Sequence, residues 1–510
     1  MFMAIRGASS ISTTSKLLLQ NYRLLKPLTT LSSTTTPPST IISPDTFSET
    51  PTPTTATFGG FGSASCSGFG SRSGSLLSFE DSKDLFASIS TAKLLKSTLT
   101  LKMAAVETVV DLGTWVINSK LMNVGVFKDV VMGFTKCTFY DHFVAGRNVN
   151  EAGETVKMLW DDGFRGMLDY GLEHVDDNQS CDRNSEAFIN TVDSTKSLPA
   201  TSVSSVVVKI TAICPVSILR RISDLLRWEY KTKSNDLPWK QNTLPIFSES
   251  SPLYHTLTKP EPLTPQEEQD FRLAQQRLTN IIEKCLASNV PLVIDAEDTQ
   301  IQPAIDYFTH SAAILYNKGD KPLIFGTIQA YLKDAKERLV LLKAAADEMG
   351  LPLGVKLVRG AYMSSEAQVA AALGHESPIH NGIKQTHACY NDCASFMLHE
   401  IANGPGALVL ATHNFESGRL AALKAQELGI ANGNQKVQFA QLYGMAEALS
   451  YGLRNAGFEV SKYLPFGPVD QIMPYLLRRA EENKGMLSSS AIDRQLMRME
   501  LKRRLAAAVL

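Results

Sequence analysis

The 510 residues are 44% apolar and carry 50 basic against 51 acidic side chains, a formal net charge of -1. That apolar fraction suffices for a large core, whereas the balanced charge supplies none of the basic excess on which phosphate binding rests, so no nucleic-acid partner is expected. The seven cysteines are odd in number and form no CxxC pair, which speaks against a disulfide framework and against a cysteine-rich zinc site. No uncharged apolar run approaches the ~20 residues of a membrane span.

In chain order, residues 1–44 contain no Asp or Glu, four basic residues (Arg6, Lys16, Arg23, Lys26) and abundant Ser and Thr. This is the composition of an organellar transit peptide, and by itself it leaves mitochondrion and chloroplast open. Residues 45–78 include the low-complexity run Pro51–Ser75 and read as a linker. Residues 79–150 read as an N-terminal helical segment. Trp115, Ile117, Leu121 and Val124, then Val126, Val130 and Phe134, recur at helical spacing, and these helices are expected to pack on the main domain.

From residue 151 to 490, short β-branched runs alternate with helical patterns. The predicted strands are Gly166–Tyr170, Ser205–Thr211, Pro291–Asp295, Leu323–Thr327, Gly354–Val358, Ala407–Thr412, Lys436–Ala440 and Glu459–Tyr463. Amphipathic stretches at Leu332–Met349, Glu366–Ala402 and Gly418–Leu428 lie between them. Eight repeats predict an α/β fold of the closed (β/α)8 TIM-like type, with the last helix over the barrel mouth. No GxGxxG follows a strand, which disfavours a dinucleotide-binding sheet. His174–Val203 is polar and reads as an inserted surface loop; Pro215–Pro291 reads as two helices joined by a Pro-rich loop near Pro252–Pro265. Residues 491–510 read as a helical tail.

Barrel active sites lie at the C-terminal strand ends. Polar residues recur there: Lys209 on the second strand; Asp295, Glu297 and Asp298 after the third; Gln329 after the fourth. Lys356, Arg359, Gly360 and Tyr362 follow on or after the fifth, Thr412-His413-Asn414 the sixth, Gln441 the seventh and Tyr463 the eighth. Lys209 stands in an apolar run and needs a paired charge, for which Asp295 on the neighbouring strand is suited. On the last helix, Arg478, Arg479 and Glu482 are spaced to interact.

The segments SVVVKITA, VIDAED, GTIQAYLKD, GVKLVRGAYM, LATHN, FAQLYGM, YLPFG and YLLRRAEEN resemble the proline dehydrogenase family, in family order over roughly residues 160–490. The long acid-free leader is similar to the organellar eukaryotic branch and leans toward plants. The resemblance implies a mitochondrial enzyme that oxidises L-proline to 1-pyrroline-5-carboxylate by hydride transfer from C5 to N5 of FAD, the first step of proline catabolism. Electrons would pass to a quinone at the inner membrane, touched peripherally from the matrix side. It further implies that Lys209, Arg478 and Arg479 bind the proline carboxylate. Asp295 would hold Lys209 and Tyr463; Tyr362, Tyr463 and Tyr475 would line the pocket; Glu482 would pair with an arginine. Lys209, Asp295 and Tyr463 are the expected catalytic set. FAD would be contacted by Gln329, Lys356, Arg359, Gly360, Thr412, His413 and Asn414. Many bacterial members have arginine where this chain has Lys356, so the planar fork is lost there. No metal is implied. Two alternatives stay open: a hydroxyproline dehydrogenase, and a Schiff-base barrel lyase using Lys209.

Overall fold

The computed structural model describes residues 81–234, 237–430, 433–485 and 487–509, without the side chains of residues 109, 118, 481–490 and 509. The transit peptide and linker expected over 1–44 and 45–78 lie outside these residues. After one turn at Ser82–Leu85 come α1 (Thr91–Ala104), α2 (Glu107–Asn118), α3 (Gly125–Thr135) and α4 (Val149–Asp161). The repeat then runs β1 (Arg165–Tyr170), α5 (Asn178–Ser194), β2 (Val203–Val208), α6 (Val216–Thr232), α7 (Pro265–Ala287), β3 (Leu292–Ile294) and α8 (Gln302–Tyr316). It continues through β4 (Ile324–Gln329), α9 (Ala335–Glu348), β5 (Gly354–Val358), α10 (Met363–Ala372), α11 (Ile383–Asn403) and β6 (Ala407–Ala411). The last elements are α12 (Phe415–Glu427), β7 (Val437–Leu442), α13 (Glu447–Asn455), β8 (Val460–Phe466), α14 (Met473–Gly485) and α15 (Leu487–Val509).

The eight strands pair in chain order, all parallel, and β8 returns to β1 in the register Arg165↔Ser461 through Tyr170↔Phe466, closing the predicted barrel. The two-residue pleat then sorts the side chains. Met167, Val207, Val293, Phe325, Val409 and Ala440 point inward and pack together as an apolar plug. One pleat further on stand Asp169, Lys209, Asp295 and Thr327. A single register therefore gives the barrel a dry floor and a polar mouth.

Three expectations need correction. The stretch His174–Val203 is not a loop: it holds α5, capped by Asp177, whose side chain accepts from the Ser180 N–H. Its buried stripe includes Cys181, Asn184, Ser185, Phe188 and Val192, so a helical face exists but is half polar. The helix expected over Glu366–Ala402 is two helices, because Gly374 takes a left-handed φ of +71° just past α10 and Pro378 follows before α11. In the N-terminal segment, α1 packs on α15 and α2 on α14, yet Trp115, Leu121, Val124, Val126, Val130 and Phe134 are exposed.

Asn317, buried after α8, staples β4 to β5. Its Oδ1 accepts from Leu323 N (3.0 Å) and Ile324 N (2.8 Å), and its Nδ2 donates to Ile324 O (3.1 Å) and Pro352 O (3.2 Å). Asn317→Ala leaves three buried backbone groups and one half-buried one short of a partner and should cost about 2–4 kcal/mol, read as a lowered denaturation midpoint. An unshifted midpoint would show that the staple is dispensable.

Candidate active site

Around the mouth, acids and bases alternate from strand to strand. The Lys209 ammonium lies 3.2 Å from Asp169 Oδ1 and 3.2 Å from Asp295 Oδ2. The other Asp295 oxygen accepts from Lys356. Tyr463 OH donates to Asp295 Oδ2 at 2.8 Å and accepts from Lys209 at 3.2 Å. Both lysines and both aspartates are buried, and removing one partner would strand its neighbours' charge. Burial opposes ionisation of Asp295, but Lys356 and Lys209 outweigh it and hold the carboxyl well below its usual range. Burial likewise opposes the Lys209 charge, and Asp169, Asp295 and Glu173 together raise its pKa instead. Burial pushes the Tyr463 hydroxyl up, assisted by both aspartates, so it stays a donor.

The expected pairing of Lys209, Asp295 and Tyr463 is thus present, and Asp169 and Lys356 extend it. Asp169 sits in the predicted strand GMLDY as a lone acid among apolar neighbours, which is the signal that could have singled it out.

Helix α14 carries the arginines back to this mouth. Arg478 forks onto Glu173, with Nη2 3.2 Å from Oε2 and Nη1 on the other oxygen. Burial would raise the Glu173 pKa, but Arg478 and His174 overcome it and hold it down at about 2. Arg479 is buried, its guanidinium 4.9 Å above the Tyr475 ring. Burial, then the nearby Arg479 cation, lowers His413 to about 3 and keeps it neutral. Neither arginine therefore points into bulk water away from the barrel. Glu482 lies on α14 among residues whose side chains are outside those described.

A second polar group lies beside the first. Glu297 is fully buried; its Oε1 accepts from Thr211 at 2.7 Å, its Oε2 lies 3.4 Å from His174 Nε2, and its backbone carbonyl accepts from Gln329 at 2.8 Å. His174 holds a left-handed φ of +57°, a conformation uncommon outside glycine. Glu173 and His174 fall in a loop, where periodicity gave no reason to single them out. Burial and Glu297 keep the Tyr362 hydroxyl protonated.

Beyond β5, Arg359 donates to His387 Nδ1 (3.0 Å), Thr412 Oγ1 (2.7 Å) and Ser417 Oγ (2.7 Å) and stacks 4.3 Å over Tyr390. Asn414 caps α12 by accepting from Ser417 N, and His413 Nε2 accepts from Leu442 N at 3.1 Å. Gly360 has φ +134°, and a Cβ there would fall 2.3 Å from the Tyr331 ring.

A family model described as proline dehydrogenase matches residues 152–491. The chain belongs to the proline dehydrogenase family. Over 436 residues it is 57% identical to proline dehydrogenase 1, mitochondrial, of Arabidopsis thaliana, covering 85% of this chain and 87% of that one. It is 54% identical to proline dehydrogenase 2, mitochondrial, of the same plant, over 84% of this chain and 91% of that one. Among solved structures it is similar in fold to proline utilization A of Bdellovibrio bacteriovorus inactivated by N-propargylglycine, at a TM-score of 0.56 and 19% identity. That match covers 81% of this chain and 40% of the longer bacterial protein.

Burial, opposed by His174, pushes the Glu297 carboxyl up to about 7. A carboxyl raised on folding contributes most below its unfolded pKa of about 4.3, and stability falls as pH rises from there to about 7. Glu297→Gln should therefore flatten the loss of stability between about pH 5 and about pH 7.5, measured by chemical denaturation. Parallel pH profiles for parent and variant would remove Glu297 as the source.

Proposed function

We propose that this protein is an FAD-dependent proline dehydrogenase of mitochondria, converting L-proline to 1-pyrroline-5-carboxylate and passing the electrons to a membrane quinone. Family membership and the mitochondrial names of the plant relatives support the activity and the compartment, and the acid-free leader agrees with import. The observation that carries the reading is the buried Lys209 ammonium at the barrel mouth, with Arg478 held near it on Glu173.

Proline is a zwitterion whose anionic end needs fixed cations. The arginine pair and Lys209 are the candidates. Arg478 is already forked onto Glu173, so an entering carboxylate competes with that acid for the same planar donors. Lys209, held by Asp169, Asp295 and Tyr463, is preorganised and loses little freedom on meeting substrate. Tyr463, Tyr362 and Tyr475 then pack against the ring, and α14 over the mouth excludes water.

The residues present suit FAD. Arg359 places a cation beside the first turn of α12, where the helix dipole is itself positive; an anionic pyrophosphate relieves that repulsion. Gly360, next to Arg359, lets the Tyr331 ring close directly onto the backbone of that loop. Lys356, Gln329 and the Thr412-His413-Asn414 turn complete the set that would hold the cofactor. When bound, FAD supplies the two-electron acceptor for the hydride leaving proline C5. The chain's own part is to clamp, orient and dehydrate the substrate. A Schiff-base lyase is disfavoured, since it needs Lys209 as a neutral amine and the flanking carboxylates stabilise the ammonium.

Flavin-loaded protein mixed with proline without oxygen should lose its yellow colour, and persistent colour would sink the reading. Arg479→Met should raise the proline KM at least about tenfold with FAD retained, since a charge-assisted hydrogen bond is worth about 1.5–3 kcal/mol. An unchanged KM would discredit the carboxylate clamp. Lys209→Ala should impair proline turnover severely, and near-normal turnover would take Lys209 out of the site.

A further inference from the structure

Six free cysteines fall among the described residues. Cys181, Cys214 and Cys285 are buried, and burial pushes each thiol up, which makes it inert. Cys389 and Cys393 are different. They lie one turn apart on α11, Cys389 half-buried and Cys393 fully buried, with their thiols side by side. The loop before α11 brings His380 against Cys389, and the His380 backbone N–H donates to Tyr331 O at 2.9 Å, which fixes that loop. From α9, the Lys336 ammonium donates to Asp392 O at 3.0 Å and lies 4.1 Å from the Phe396 ring centre, where both thiols feel its charge. A hydrogen bond donated by Cys393, then His380, holds the Cys389 thiol below its usual range. Donating that bond, then burial, holds Cys393 above it. A half-buried sulfur that favours the anion, backed by a protonated thiol, is the arrangement of an attacking and a resolving cysteine.

The same helix carries part of the Arg359 anchor. Tyr390, next to Cys389, lies 4.3 Å under the Arg359 guanidinium, and His387 Nδ1 accepts from Arg359 at 3.0 Å. Residues four apart on a helix hold their Cβ atoms about 5–6 Å from each other, whereas a disulfide brings them to about 4 Å. Joining the two sulfurs therefore tightens α11 across residues 389–393 and moves Tyr390 with it.

We propose that Cys389 and Cys393 form a dithiol that hydroperoxides oxidise to a disulfide, loosening the FAD site. This deepens the reading above and rests on it for the cofactor, since Arg359 is among the residues proposed to hold FAD. The Cys389 thiolate attacks the O–O bond of a hydroperoxide, keeps one oxygen as a sulfenic acid, and releases the other as an alcohol or water. Cys393 then gives up its proton and attacks the Cys389 sulfur; the S–O bond breaks and water leaves. Two thiols and one hydroperoxide thus yield one disulfide, one alcohol and one water, with two electrons passing from sulfur to the peroxide. The strain of a bridge within a helix keeps it reducible by thiols.

The flavin-loaded full chain is treated with hydrogen peroxide, alkylated and digested with trypsin. One peptide, Gln385–Arg419, contains both cysteines. It should lose two hydrogens and resist alkylation until dithiothreitol is added. In the same samples the FAD dissociation constant should rise at least about tenfold, the size of one lost charge-assisted hydrogen bond, and return on reduction. Cys393→Ala should stop at the sulfenic acid, captured by dimedone on Cys389, and Cys389→Ser should form neither product. Both variants should keep FAD in peroxide. The proposal is overturned if the parent peptide stays reduced, or if it ends as an unbridged sulfenic acid. It is also overturned if the bridge forms with FAD affinity unmoved, or if Cys393→Ala loses FAD to peroxide as the parent does. An untreated chain that holds no flavin overturns the enzymatic reading and this proposal with it, a result distinct from a flavin-loaded chain whose peptide stays reduced.

Discussion

The site depends on one carboxylate. Asp295 accepts from Lys356 on one oxygen, meets Lys209 and the Tyr463 hydroxyl on the other, and so joins β2, β3, β5 and β8 across the mouth. A barrel can bury four charges at that level only because they alternate in sign. Without Asp295, two ammonium groups would face each other in a dry cavity, a cost of several kcal/mol. The plug of apolar side chains beneath excludes water and makes the pairing compulsory. The Lys209 and Lys356 cations are therefore not independent, and substitutions at the two should not be additive in their effects.

Much of this arrangement was legible in the sequence because a buried parallel strand is an unusually loud signal. Runs such as Val206-Val207-Val208 are apolar on both faces, and a lone Lys209 at the end of one must have a partner. The eight strands and the residues at their ends follow from that pattern. Asp169 is legible only as a lone acid among the apolar residues of GMLDY, and the sequence alone does not say what it meets. Its inward direction follows from the pairing of β1 with β2 and β8. Glu173 and His174 were invisible for a different reason: a loop has no period, and the left-handed turn at His174 is set by its neighbours in space. Helix α5 was hidden because its buried face is made partly of Asn and Ser. The stripe on α3 shows the opposite limit, in that periodicity reveals a face but never what covers it.

Placing arginines on a helix after the last strand separates their position from the barrel's own geometry. The strands are fixed by their ladders, while α14 is joined to β8 by a short link, so Arg478 can exchange Glu173 for another carboxylate without disturbing Asp295. Glu173 holds that guanidinium in a fixed orientation at the edge of the mouth.

The far end of that helix has a consequence of its own. Helix α15 follows α14 directly and packs on α1, where Arg504 donates to the carbonyls of Phe86 (2.7 Å) and Ile89 (2.6 Å). The cover over the mouth is thus moored at its distal end to residues that precede the barrel by more than sixty positions. Excising the catalytic repeat as a minimal fragment would cast off that mooring, and the fragment would be expected to keep its strands yet hold its cover in many orientations.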